Sequence, residues 1–433
     1  RDDVIYVKRR PDGGYKLFVA TPDIAHYIPL DSPLDAAVHK SATSYYYPGT
    51  NFPMFPRHLE KEVFSLDQGK KRLAIVYEMD LSGKGELQDL KITEGVIINR
   101  WQTNYDHFEH LRTSKSEKFK PYQVYHDLFK ILQKQRDAKG SFALERPEAK
   151  FELNKDGTVR NVYQEVRNDA HKLIEEFMVI TNVAVPEFLF KKWEAPAGNR
   201  NHREAEDEAV RELYDFAQKK LRLETEEYSD PLVTIQSLIK SADEAGKLNL
   251  LMEKFWQTLP AATYSEGGKG HFALAAMYYA QMTSPIRRLM DLWNQRITKF
   301  ILDNEHQEVI DFSQFDKRLM LAADRATHMS MMAKKAEWDV LDLKYLSIFD
   351  TKNTKKTSVL IVGVSSRGVA LEFEGMTYNQ FLGSEYLKKL GYKYDAKSDK
   401  WEGYKGQDLI LDTNIDVNIK RIDYIKRQLD LEF

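Results

Sequence analysis

The sequence predicts an α+β protein with strands first, a long helical middle and a small β-barrel at the end. Three observations carry this. Short alternating runs bounded by turn residues fill the first hundred or so positions. A helical apolar period then holds to about residue 348. After a polar stretch, Lys352 to Thr357, the period falls to two.

The elements follow in order. Residues 4–8 and 15–20 flank Pro11-Asp12-Gly13-Gly14, a hairpin signal. Leu34 to Val38 suggests a short helix, and Tyr45-Tyr46-Tyr47 follows it. Two more strands are expected at 72–80 and 86–100, separated by Ser82-Gly83-Lys84-Gly85. Helices are expected near 119–137, 165–192, 204–223, 229–242 and 245–257, with a brief hairpin around Asn154–Gly157.

Thr283 to Asp291 reads as a helix start, with Ser284 as cap and Pro285 at the first helical position. Ile286, Leu289, Met290, Trp293, Ile297 and Phe300 then share an apolar stripe. That reading puts Arg287 and Arg288 in the first turn, where the helix dipole disfavours cations. An anion bound there would explain both arginines. A long helix is expected over 313–348, with an apolar seam from Phe315 through Leu319, Ala322, Ala326 and Met329 to Leu343. The tail strands are expected at Val359–Val362, Val369–Phe373, Asp408–Leu411, Ile415–Ile419 and Gln428–Leu431.

The totals exclude several classes. At 433 residues and 50.5 kDa the chain suffices for one large domain and a small one. The absence of cysteine rules out disulfides, thiolate metal sites and a cysteine nucleophile. No apolar run approaches the ~18 residues of a membrane span. No signal peptide is visible, so a cytoplasmic protein is the expectation. The net charge is −2, so a nucleic-acid binder must concentrate its positive charge in a cleft. The chain opens on Arg1 directly before a strand-like run and reads as cut from something longer.

Taken singly, the candidate residues have bland alternatives. Asp2-Asp3 is a pair of hard oxygen donors suited to Mg²⁺, or a solvated turn. The tyrosines of 45–47 alternate on a strand, either as core or as a stacking platform for a base. Tyr105 opens a helical stretch and reads as a half-buried ring with a wet hydroxyl. Glu175-Glu176 and Glu337 read as helix-face or pairing carboxylates. His26, His171, His202 and His271 share no metal-ligand spacing and read as structural or hydrogen-bonding residues. Gly267 to Gly270 reads as a flexible connector rather than a phosphate loop. No Walker loop or nucleophile elbow is present.

Taken in order, the stretches resemble the ribonuclease II/R family and its RNB catalytic domain. Asp2-Asp3-Val4-Ile5 resembles the end of that family's Asp-x-Asp-Asp-Ala-Ile metal motif. Asp23-Ile24-Ala25-His26-Tyr27-Ile28 resembles its Ala-Asp-Val-Ser-His-Tyr-Val strand. Ser44-Tyr45-Tyr46-Tyr47-Pro48 and Phe52-Pro53-Met54-Phe55-Pro56 resemble its Thr-Ser-Val-Tyr-Leu-Pro and Ile-Pro-Met-Leu-Pro segments. Leu173-Ile174-Glu175-Glu176-Phe177-Met178 is similar to its Leu-Ile-Glu-Glu-Phe-Met helix. Gly270-His271-Phe272, Tyr279 and Thr283-Ser284-Pro285-Ile286-Arg287-Arg288 resemble its strongest signature. The match runs over essentially the whole chain.

The resemblance implies an RNB domain over 1–351, truncated at its N-terminal edge: a mixed sheet surrounded by helices with an RNA channel. An S1-type OB-fold would follow over 352–433. It implies a processive 3′→5′ exoribonuclease that hydrolyses single-stranded RNA to nucleoside 5′-monophosphates. Mg²⁺ would act from a two-metal site lying partly outside the sequence.

By position, Asp2 and Asp3 would be metal ligands and Arg287 would hold the scissile phosphate. Tyr46 would stack on the threaded RNA, and Tyr105 would pack against the terminal nucleotides and help set the final product length. Glu175 and Glu337 would contact the 3′-end nucleotide, with Arg288 left to pairing or backbone contact.

The family's further metal-site aspartates and its cold-shock folds fall before Arg1. Leu144 stands where many relatives carry a clamping aromatic, and Leu289 replaces a common tyrosine. On this count the 433 residues alone are expected to bind metal weakly. The competing reading is a catalytically inactive relative that binds RNA through the channel and OB-fold. A monomer that engages single-stranded RNA and no membrane is expected.

Overall fold

Turn chemistry sets the first hairpin. β1 (Val4–Arg9) and β2 (Tyr15–Pro22) pair antiparallel, Val4 opposite Ala20 and Arg9 opposite Tyr15. Between them Gly13 takes φ +85°, open to glycine without strain, and the Gly14 N–H donates to Asp12 Oδ1 at 3.0 Å. Alternation on β2 buries Tyr15, Leu17 and Val19. The computed structural model describes residues 2–141, 148–351, 354–374, 376, 378–403 and 406–433. Leu144 lies outside the described residues.

From β2 the chain makes α1 (Ile24–Tyr27), capped by Asp23, and α2 (Pro33–Ser41), capped by Ser32 with Pro33 in the first turn. The tyrosine run forms β3 (Tyr45–Tyr47), paired with β4 (Thr50–Phe52). β5 (Lys71–Leu81) and β6 (Leu87–Ile98) complete a four-stranded sheet of order β1-β2-β5-β6. Its ladders are all antiparallel rather than mixed, because β1–β2 and β5–β6 are hairpins and β5 runs back beside β2.

Helices then take over: α3 (Tyr105–Thr113), α4 (Gln123–Ala138) and, after the hairpin β7 (Ala149–Leu153) and β8 (Val159–Gln164), α5 (Asp169–Trp193). α5 starts later than expected because the Asn168 side chain caps it, accepting from the His171 N–H at 3.2 Å. β9 (Gly198–Asn201) leads to α6 (Asp207–Lys219), α7 (Pro231–Glu244) and α8 (Leu248–Thr258), and β10 (Thr263–Glu266) pairs back on β9. α9 (Leu289–Asn304) and α10 (Ser313–Thr351) follow. No described helix is long and apolar enough to cross a membrane.

α9 runs through the core. Leu289, Met290, Leu292, Trp293, Ile297 and Ile301 join one apolar cluster with the sheet, α4, α5 and the first part of α10. α6, α7 and α8 close a smaller cluster, which Val362 of the C-terminal region joins. The end of α10 (Tyr345, Leu346, Phe349) belongs to the C-terminal cluster, with Val159 of β8.

That region is a five-stranded antiparallel sheet of order β13-β12-β11-β16-β17. It comprises β11 (Lys356–Ser365), β12 (Gly368–Phe373), β13 (Asn379–Gly383), the short α11 (Ser384–Lys389), a hairpin β14 (Lys393–Asp395) and β15 (Lys400–Glu402), then β16 (Asn414–Asp423) and β17 (Gln428–Glu432). The expected barrel is not closed by a backbone ladder among the described residues. In place of one, the buried Gln380 amide of β13 donates to Leu429 O at 2.7 Å and accepts from Leu429 N at 2.8 Å on β17.

The strand expected at Asp408–Leu411 does not form. Asp408 is drawn to Lys400 Nζ at 2.6 Å, only Leu409 bridges Trp401, and Asp412 turns the chain with φ +63°. β13 and the β14–β15 hairpin were not expected, since Asn379–Gly383 carries little β-branched character.

Candidate active site

The helix expected to begin at Ser284 begins at Leu289, and the reason lies on another element. The Ser44 N–H donates to Arg287 O at 3.0 Å and the Leu289 N–H to Ala42 O at 2.9 Å. This bridge keeps Arg288 extended (φ −139°, ψ 129°) and delays the helix. Ser284 and Pro285 form a turn, in which the Arg287 N–H donates to Ser284 O at 3.2 Å. The arginines therefore precede the first turn. The acidic residue that a helix N-terminus favours is Asp291, whose Oδ1 accepts from the Ser284 N–H at 2.6 Å.

The two arginines diverge. Arg288 is forked onto fully buried Asp291, its Nε donating to Oδ2 at 2.8 Å and its Nη2 to Oδ1 at 2.9 Å. Arg287 stays 44% exposed; its Nη2 donates to Ser284 Oγ at 3.0 Å and its Nε lies 3.3 Å from Asp2 Oδ2. The expectation that Arg288 contacts RNA gains no support from this placement, since its donors are turned inward.

Asp2 and Asp3 enter β1 side by side. Burial opposes the charge on both. The Asp2 carboxyl is pushed up by burial against the pull of Arg287. The Asp3 carboxyl is pushed up to about 6, first by burial and then by the neighbouring Asp2 charge.

Two tyrosines face this group. Tyr46 on β3 is 49% exposed; burial of its hydroxyl raises its pKa, Arg287 pulls it down and Asp2 pushes it up. Tyr105, at the start of α3, is 43% exposed; burial raises its hydroxyl, Asp3 adds to the rise, and Arg167 and Arg287 oppose it.

Glu175 lies one step further along α5. It pairs closely with Arg167, and its Oε1 is 3.6 Å from Arg136 Nη1. Glu176 turns inward to Arg136 Nη2 at 2.6 Å, with burial pushing its carboxyl up to about 7. Glu337 is not brought to the acidic pair by any described contact; it pairs with Lys334 Nζ at 2.9 Å along α10.

Asp2, Asp3, Tyr46 and Tyr105 of the first part of the chain thus come together with Arg287, remote from them in sequence. Sequence reading missed Arg136, Arg167 and Asp291, which hold Glu175, Glu176 and Arg288. Arg167 stood in view beside Asn168 and Asp169, but its partner is set by the turn of α5 and not by sequence proximity. The Gly267–Gly270 loop proves tied rather than free: Asn201 Oδ1 accepts from the Lys269 N–H at 2.9 Å, and its Nδ2 donates to Gly267 O at 3.2 Å.

The donor set fits a hard cation in part. Two carboxylates whose ionisation is opposed by burial gain from a nearby positive charge. Mg²⁺ commonly takes only one or two carboxylates alongside waters and substrate phosphates. Among the described residues no group of three or more His, Cys, Asp or Glu side chains is arranged to hold a metal.

Paired carboxylates beside an exposed guanidinium, with tyrosine rings at hand, are groups suited to a phosphodiester, and an α+β frame presents them. Residues 1–304 match the RNB domain, and the chain belongs to the RNB domain family.

Similar proteins include ribonuclease R of Escherichia coli strain K12, 28% identical over 451 residues that cover 99% of this chain and 54% of the relative. Ribonuclease R of Buchnera aphidicola subsp. Schizaphis graminum is 31% identical over 426 residues, covering 92% of this chain and 57% of the relative. The chain spans about half the length of these relatives. Mycoplasma genitalium RNase R, solved with ribose-methylated single-stranded RNA, superposes with a TM-score of 0.90 at 22% identity, covering 99% of this chain and 68% of that one. Yeast Ssd1, described as a pseudonuclease, superposes at 0.72 with 15% identity, covering 93% and 50%.

Proposed function

We propose that the chain is the catalytic core of a processive 3′→5′ exoribonuclease that hydrolyses single-stranded RNA to nucleoside 5′-monophosphates with Mg²⁺. The observation that carries this reading is the meeting of Asp2 and Asp3 with Arg287, 3.3 Å from Asp2, on a chain of the RNB family. Residues 352–433 form its S1-type OB-fold and help hold the RNA. The protein works as a monomer in the cytoplasm.

Asp2 and Asp3 would hold the cation. When bound, it lowers the pKa of the attacking water and offsets charge on the leaving oxygen. Arg287 binds the scissile phosphate oxygens and, being exposed and already oriented by Ser284, meets the charge that grows there in the transition state. Tyr46 offers a ring to a base, a grip that tolerates any sequence. Tyr105 packs against the terminal nucleotides. Glu175 accepts a hydrogen bond from a ribose 2′-hydroxyl, which favours RNA over DNA.

A second reading, an RNA binder without hydrolysis, is kept by the likeness to a yeast pseudonuclease of the same fold. One experiment separates them: 5′-labelled single-stranded RNA incubated with the full-length protein. A ladder that recedes stepwise from the 3′ end and vanishes with EDTA supports the exonuclease. Retention of RNA without shortening supports the binder, and internal cuts sink both.

A further inference from the structure

Tyr105 is exposed on one side only. Its ring lies against the imidazole of His171, centroids 4.0 Å apart and planes inclined by 31°. His171 is itself held: its Nδ1 is 2.8 Å from Asn168 Oδ1. That oxygen also accepts from the His171 backbone N–H at 3.2 Å, as the cap of α5.

The other end of the Asn168 amide decides the proton. Asn168 Nδ2 donates to Asp106 Oδ1 at 3.2 Å. A carboxylate only accepts, so the amide nitrogen faces Asp106 and the amide oxygen faces His171. His171 therefore carries a proton on Nδ1 and donates it to Asn168. Asp106 is the chain neighbour of Tyr105. The four residues close a circuit: ring on ring, imidazole on amide, amide on carboxylate, and back through one peptide bond.

The frame around the circuit is tied as well. Asp169, next in α5, is 3.3 Å from His126 Nε2 and 3.2 Å from Lys130 Nζ on α4, and 3.6 Å from Arg112 Nη2 at the end of α3. The first turn of α5 thus holds both ends of α3, with Tyr105 at the near end.

We propose that His171 and Asn168 are positioning residues that hold the Tyr105 ring ready to stack on the RNA 3′ end. This inference rests on the exonuclease reading above. A free tyrosine loses rotamer freedom each time it stacks on a base, whereas a ring already pinned on one face presents the other at little cost. The same turn of α5 carries Arg167, which pairs with Glu175 and acts on the Tyr105 hydroxyl. One short segment therefore orients two groups that meet the last nucleotides.

The test compares His171→Ala, His171→Phe, Asn168→Asp and the double variant Asn168→Asp/Asp106→Asn with Tyr105→Ala in the full-length protein. Aspartate caps a helix as well as asparagine does, so Asn168→Asp spares α5 while setting a carboxylate against Asp106. The double variant restores a donor opposite an acceptor. The readouts, both taken in EDTA, are the affinity for a short 5′-labelled single-stranded RNA and quenching of a 2-aminopurine placed at the RNA 3′ end.

Tyr105→Ala, His171→Ala and Asn168→Asp are expected to lose the quench and hold short oligonucleotides about fivefold less tightly. His171→Phe, which keeps a flat ring, stays nearer the unmodified quench than His171→Ala, and the double variant returns towards it. Unmodified quench and affinity in both His171→Ala and Asn168→Asp, or no recovery in the double variant, overturn the inference and leave the exonuclease reading standing. If the unmodified protein neither shortens nor binds RNA, that reading falls and the inference falls with it.

Discussion

Helix α9 and the C-terminal sheet bury their residues in opposite ways. Beside its apolar residues α9 buries a polar set: Asp291, Asn294, Gln295, Arg296 and Thr298 are all buried. Asn294 accepts from the Gly198 N–H at 2.8 Å and donates to Gln281 O at 2.9 Å. Gln295 donates to Pro22 O at 2.8 Å and accepts from the Ile24 N–H at 3.1 Å. Arg296 donates to Asp35 Oδ1 at 2.6 Å. In the C-terminal sheet Val359, Ile361, Val369, Leu371, Phe373, Leu429 and Leu431 pack without polar neighbours of that kind, and Gln380 is the buried polar residue among those described. Apolar burial holds layers together but is non-directional. Hydrogen-bonded polar contacts fix register as well, and here they fix where Arg287 meets the head of β1.

The largest effect should come from breaking the polar side. Asp291→Ala leaves Arg288, whose side chain is only 19% exposed, without its partner and frees the buried Ser284 N–H, an expected loss of about 3 kcal/mol. Gln380→Leu strands one N–H and one carbonyl of Leu429, a loss of about 1–3 kcal/mol. Denaturant midpoints measure both. Should Asp291→Ala cost no more than Gln380→Leu, the polar set that α9 buries is not what holds that helix in place.

The same contrast explains what could be read from the sequence. β1, β2, β11 and β12 were legible because alternation is a local property and burial follows it directly. The start of α9 was not. Ser284 and Pro285 satisfy the local rules for a cap and first turn, yet the Ser44 N–H and Ala42 O, remote in sequence, pull residues 287–289 into a bridge. The candidate site was legible where a motif carries the residue itself, as for Asp2, Asp3, Arg287 and Tyr46, which the fold brings near one another. It was illegible where a residue matters through its partner. Asp291 looked like part of a polar helix face, and His171 like any hydrogen-bonding histidine, because their partners are set by packing.

A smaller effect separates the regions by pH. The rings of His202 and His271 meet edge to face with centroids 5.1 Å apart, and the Nδ1 atoms of both are buried with no hydrogen-bond partner among the described residues. Burial, then the neighbouring His202 and Arg200, drive the His271 pKa down to about 3 from its ordinary 6.5. The folded pKa lies below the unfolded one, so the unfolded chain takes up the proton first. Stability is then full above about 6.5 and declines as pH falls towards about 3, by ~1.4 kcal/mol per unit at the steepest. Unfolding followed at pH 7, 6 and 5 should show this decline, and His271→Gln should flatten it. An unchanged slope in that variant would assign the acid sensitivity to other groups.

The smallest effect on stability is expected from Arg287→Ala, and its meaning lies in that smallness. Arg287 is half exposed, and its contacts are one hydrogen bond to the Ser284 hydroxyl and one ion pair with a carboxylate that burial already discourages from ionising. Its removal should shift unfolding by no more than ~0.5 kcal/mol. Cleavage should fall by about 10²–10³-fold, because the charge Arg287 meets grows only as the phosphodiester breaks. Binding to RNA in EDTA should fall much less, since one exposed phosphate contact among many adds little to the ground state. Equal losses in binding and cleavage would make Arg287 an anchor like any other cation. A large loss of stability would place it on the same footing as Arg288, and the division between an inward arginine that builds α9 and an outward one that faces the substrate would disappear.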